Sequence, residues 1–198
     1  MQILYESNHT IVIEKSRFIT YLKPVENEQE FKDYLKEIRK KHYDATHVVS
    51  ALIINDLKRC SDDGEPAGTA GMPTMSSLEK RKMNNICALT VRYFGGIKLG
   101  TGGLVRAYSQ AVSEALDHTE LFSEISLPEY EITVGYETAN KIDYLLAKSC
   151  PEVKREYAET VRFTFLNKDP ELLEKLTELT HGQRPLYIQN KTIMEVQK

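Results

Sequence analysis

With 198 residues, 41% of them hydrophobic and 28% charged, the chain reads as ordinary globular protein with room for one large domain or two small ones. Its longest apolar runs, such as residues 48–54, are far too short to span a bilayer, and residues 1–20 lack the basic-then-apolar order of a signal peptide. A net charge of −3 argues against a surface coated with nucleic acid, and three scattered cysteines without a CxxC pair argue against a disulfide framework or a cysteine-built zinc site, so the expected location is the cytoplasm.

In chain order, residues 3–5, 10–14 and 17–25 predict short strands, the last closed by Pro24. A helix follows: Asn27 can cap it, Glu30 stands three residues on as in a capping box, and Phe31, Tyr34, Leu35 and Ile38 form one apolar stripe. The basic cluster Lys36, Arg39, Lys40, Lys41 suits the helix's negative end. Residues 46–54 and 86–93 predict strands, the second apolar enough to lie centrally in a sheet. A loop and a helix over residues 72–83 separate them. From Leu104 the pattern is helical again, with Arg106 in the first turn. Residues 121–128 lose that periodicity and form the expected boundary between domains 1–125 and 129–198.

The remaining order is strand 130–134, helix 139–148, strands 153–157 and 160–166, helix 171–180, and a strand over 184–189. Asp169 and Pro170 make a helix start, and Gly182 stands where a C-terminal glycine belongs. This βαββαβ order is the ferredoxin-like one, and the expected class is two-domain α+β.

Eight of the ten glycines lie between Gly64 and Gly103, and residues 80–113 hold six basic side chains with no acidic one, so chemistry is sought here. The segment RYFGGIKLGTGGLVRAYS leaves a buried strand, passes Gly95, Gly96, Gly100, Thr101, Gly102 and Gly103, and enters a helix. Glycines allow backbone N–H groups to crowd a ligand, a helix start adds unpaired donors, and Arg92, Lys98 and Arg106 bring charge. Either an anion-binding loop or a tight backbone-on-backbone connection satisfies this pattern; the flanking cations favour the anion. The segment is no known nucleotide fingerprint, since the Walker lysine is missing and GxGxx lacks its third glycine. In SDDGEPAGTAGMP, the carboxylates Asp62, Asp63 and Glu65 either hold Mg²⁺ beside a phosphate or form a solvated turn that meets a partner. No nucleophile signature accompanies Cys60, Ser61 or His47, so no catalytic residue and no cofactor is assigned.

The motifs KSRFITYLKPV at Lys15, SDDGEPAGTAGMP at Ser61 and VRYFGGIKLGTGGLVRAYSQAV at Val91 together resemble the YigZ/IMPACT family, in order and spacing, over nearly the whole chain. The resemblance implies an N-terminal α/β sandwich like the second domain of a small-subunit ribosomal protein of the S-five type. It also implies a C-terminal domain similar to the last domain of elongation factor G. Both imply RNA, the ribosome or a translation-related protein as partner, no membrane, and a role in regulating translation without catalysis. The rival readings are a Mg²⁺-dependent enzyme acting on a phosphorylated small molecule, with Asp62, Asp63 or Glu65 holding the ion opposite Arg92 and Lys98, and a purely protein-binding regulator with architectural glycines. One position departs: relatives carry a cysteine shortly after the histidine that corresponds to His47, where this chain reads Val48-Val49-Ser50.

Overall fold

A computed structural model describes residues 1–197 as an α+β protein with two sheets and five helices, divided into two compact units. The first comprises Met1–Ser123 and the chain end from Val196; the second is Glu124–Glu195.

The first unit is built on a five-stranded antiparallel sheet of order β1-β2-β5-β3-β4. Its strands are β1 (Ser7–Ile13), β2 (Ser16–Pro24), β3 (His47–Ile54), β4 (Leu57–Ser61) and β5 (Ile86–Tyr93), with β5 in the middle as its apolar run predicts. Residues 3–5 form no strand; the chain start is tied instead by a bridge from Gln2 to Phe122. Strand β4 has no counterpart in the sequence reading. It is an edge strand whose last four residues are exposed, so no period-two alternation marks it.

Strand β3 is buried on both faces. Val48 and Leu52 pack with Tyr34 and Ile38 of helix α1 (Glu28–Lys41), while Ala51 and Ile53 join the core of α2 (Gly71–Lys80) and α3 (Gly100–Asp117). Double-sided burial explains its unbroken apolar sequence. Helix α1 starts as expected: Asn27 accepts from Glu30 N at 3.0 Å, and Glu30 Oε2 accepts from Glu26 N at 2.9 Å. Helix α3 begins at Gly100, four residues before the apolar periodicity does, because three glycines hide its first turn from a pattern search.

The second unit carries the order β6 (Phe122–Val134), α4 (Tyr136–Ser149), β7 (Val153–Tyr157), β8 (Val161–Leu166), α5 (Pro170–Leu179), β9 (Leu186–Val196). Its sheet runs β7-β8-β6-β9. Ile132, Val134, Val161, Phe163 and Phe165 meet Ala139, Ile142, Leu146, Leu172 and Leu176 in a single core. Residues 122–128 belong to β6, and β9 continues to Val196, well past residue 189. Asp169 caps α5 by accepting from Glu171 N at 2.9 Å. No helix among the described residues is long and apolar enough to cross a membrane.

Candidate functional site

The hairpin β1–β2 turns through Glu14 and Lys15, both at positive φ, and its tip lies on Gly95. A Cβ at Gly95 would fall 2.0 Å from the Lys15 carbonyl carbon and 2.4 Å from Ser16 N, so only glycine fits. Gly95 N also donates to Ser16 Oγ at 3.2 Å. The first glycine of the segment therefore serves backbone packing. Gly96 and Gly100 follow at positive φ, and Gly100, Thr101, Gly102 and Gly103 form the first turn of α3.

Arg92 does not join a cationic surface. It is 5% exposed, and Nη1 donates to Glu65 Oε1 at 2.6 Å while Nη2 donates to Ser16 Oγ at 3.3 Å. Tyr108 of α3 donates to the same Glu65 oxygen at 2.8 Å, and its ring meets Phe18 edge-on at 5.2 Å. Burial and the Glu65 carboxylate push the Tyr108 hydroxyl pKa well up, so it remains a donor. His47 Nδ1 is 2.8 Å from Asp63 O, and its Nε2 stands 3.8 Å from Glu65 Oε2. The three motifs thus meet inside the first unit: Ser16 from KSRF, Glu65 from SDDGEP, and Arg92 and Tyr108 from the glycine-rich stretch. Arg92 Nε is buried without a hydrogen-bond partner.

The carboxylates of SDDGEP do not converge either. Asp62 Oδ1 accepts from Ala70 N at 3.0 Å and Gly71 N at 2.7 Å, and Oδ2 accepts from Gly68 N at 2.8 Å. Burial alone would raise its pKa, but these backbone N–H bonds outweigh it and hold the carboxyl below its usual range. Asp62 thereby caps α2 from outside the helix, whose own N-cap, Ala70, has no side-chain cap. Asp63 accepts from Val48 N at 2.7 Å and pairs with Arg39 at 2.5 Å. Glu65 is spent on Arg92 and Tyr108. The Mg²⁺ reading of this loop is corrected on that ground: each carboxylate is turned to a different partner, and no group of three or more His, Cys, Asp or Glu among the described residues is placed to hold a metal.

Two expected cations remain at the surface. Lys98 and Arg106 are exposed and, among the described residues, make no ion pair or side-chain hydrogen bond. Arg106 lies in the second turn of α3, not the first, so it is removed from the positive end of the helix; its Nη1 reaches back over Gly102, 3.7 Å from where a Cβ would stand. Both cations line a groove of about 450 Å³ together with Ile13, Glu14, Ile97, Leu99, Gly103, Ala107 and Gln110. Ser16 and the Glu65–Tyr108 contact had no local signal in the sequence, because each joins residues more than 40 positions from their partners.

The chain is similar to known proteins. A family model described as the Impact N-terminal domain matches residues 14–116. The IMPACT family member YvyE of Bacillus subtilis (strain 168) is 40% identical over 194 residues, covering 94% of this chain and 89% of that protein. The IMPACT family member YigZ of Escherichia coli (strain K12) is 40% identical over 141 residues, 69% of each chain. A crystal structure described as that of a hypothetical protein superposes with a TM-score of 0.57 at 32% identity, covering 94% of this chain and 96% of that one. On the extent and identity of these matches, the chain belongs to the IMPACT family.

Proposed function

We propose that this chain is a non-enzymatic binding protein of the cytoplasm that regulates translation, meeting RNA, the ribosome or a translation factor through the glycine-rich face. The observation that carries the reading is the pair of unpartnered cations, Lys98 and Arg106, on the groove beside that segment. Family membership supports the link to translation. The element order β6-α4-β7-β8-α5-β9 and the sheet order β7-β8-β6-β9 support a ferredoxin-like second domain, similar to the last domain of elongation factor G. One sheet with α1 on one face and α2 and α3 on the other supports an S-five-like sandwich for the first, with the division near residues 125–129.

The enzymatic alternative is the less supported, since Glu65 is ion-paired with Arg92 and the charged Asp62 is occupied by backbone donors. The purely protein-binding alternative gains from the packing of Gly95 on Lys15, which gives that glycine an architectural role. The test is co-sedimentation of the full chain with ribosomes at rising salt. Wild type should bind with an affinity that falls as salt rises, and Lys98→Ala should both weaken binding and shallow the log–log slope. Binding that is absent, or that ignores Lys98 and Arg106 altogether, overturns the reading.

A further inference from the structure

The groove has an unusual wall. Gly103, Arg106, Ala107 and Gln110 recur at i, i+3, i+4 and i+7, so they form one face of α3. That face carries Gly103, with no side chain, and Ala107, whose methyl is buried in the core beneath it. Ile13 and Glu14 at the end of β1 form the opposite wall, and Ile97, Lys98 and Leu99 close the end. The lining is therefore partly aliphatic, with two cations, Lys98 and Arg106, and one carboxylate, Glu14.

Four of the six arginines of the first unit have carboxylate partners, Arg39 with Asp63, Arg59 with Glu28, Arg81 with Asp117 and Arg92 with Glu65, while Arg17 lies over the Tyr93 ring. Lys98 and Arg106 have none, and they flank an aliphatic floor with Ile97 38% exposed. Exposed apolar surface bordered by unspent charge, here two cations against the single carboxylate of Glu14, is the arrangement of a protein-binding groove.

The geometry points to this groove as the docking site for an acidic, aliphatic segment of a partner protein. A Leu, Ile or Val side chain of the partner seats beside Gly103 against the exposed Ile97, and a neighbouring carboxylate is held by Arg106 and Lys98. This rests on the binding role proposed above and names its partner's chemistry. Single-stranded RNA fits less well. No aromatic ring lines the groove to stack a base. Arg106 suits a carboxylate because its planar fork can bind both oxygens together.

The test uses the full chain as bait for short random peptides displayed on phage, with a poly-uridine RNA as the rival probe. Selected peptides should place Asp or Glu beside Leu, Ile or Val. Arg106→Glu should weaken a synthesised winner roughly tenfold or more, because an attraction to the partner's carboxylate becomes a repulsion. Lys98→Glu is the second reversal, and both should keep the wild-type circular dichroism spectrum, since neither side chain has a partner to lose. No selected peptide, or winners indifferent to both reversals, overturns the inference. Poly-uridine binding lost in Arg106→Glu, without peptide binding, sinks the docking site but leaves the binding role standing. Loss of peptide, RNA and ribosome binding in the wild type alike removes both.

Discussion

Arg92 and Glu65 meet at 2.6 Å with side chains only 6% and 3% exposed, joining a central strand to a loop 27 residues earlier in the chain. A buried pair of this kind gains little over a well-packed apolar pair, yet removing one partner strands the other charge. Glu65→Ala should therefore cost about 3–5 kcal/mol, by equilibrium urea unfolding. A double variant Glu65→Leu/Arg92→Met should be distinctly more stable than the sum of the single changes implies, and strict additivity would show that the pair is not coupled.

Asp62 gives the fold an acid-sensitive point. Its folded pKa lies below the unfolded value of about 3.9, so its contribution is present above that pH and is lost as pH falls through the lower folded value. Asp62→Asn should lose about 1 kcal/mol at neutral pH, the worth of a helix cap. The variant's stability should also change less than wild type's between neutral pH and acid. Parallel pH curves for the two proteins would contradict this.

Adjacent glycines should respond differently to alanine. At Gly95 the new methyl meets the Lys15 backbone, which cannot swing aside as a side chain can. At Gly96 nothing lies within 4 Å, and the cost is that of φ +86° alone. Gly96→Ala should lose about 1–2 kcal/mol. Gly95→Ala should lose clearly more and loosen the hairpin tip, read by amide hydrogen exchange at residues 14–16.

The cysteines should separate in a thiol titration with a disulfide reagent. Cys60 is exposed and should react first; Cys87 is fully buried, with its pKa pushed up by burial to about 12, and Cys150 is pushed up to about 11. Burial and then Asp62 also raise the Cys60 thiol, so its reaction should be slower than a free thiol's at neutral pH and should quicken in Asp62→Asn. Equal rates at Cys60 and Cys87 would contradict the placement of Cys87 in the core.

Local chemistry made most elements legible. The Asn27 and Asp169 caps, the stripe through Tyr34 and Ile38, and the apolar run of β5 each depend on neighbours along the chain. Strand β4 escaped because an exposed edge strand needs no alternation, and the first turn of α3 escaped because glycine carries no periodicity. The site was legible by address and only partly by role. Counting charges between residues 80 and 113 locates the cations, but it cannot see Glu65 arriving from another loop to neutralise Arg92. Lys98 and Arg106 keep their expected exposure because no distant carboxylate reaches them.

Hairpin tips are usually where a chain accepts an inserted tag or a longer loop. The Glu14–Lys15 tip is an exception, because its backbone is the surface on which Gly95 rests. One added residue there would lift the turn from Gly95, shift Ser16 from Arg92, and remove one wall of the groove at Ile13 and Glu14. The length of this turn, more than the identity of its residues, is what the rest of the first unit depends on.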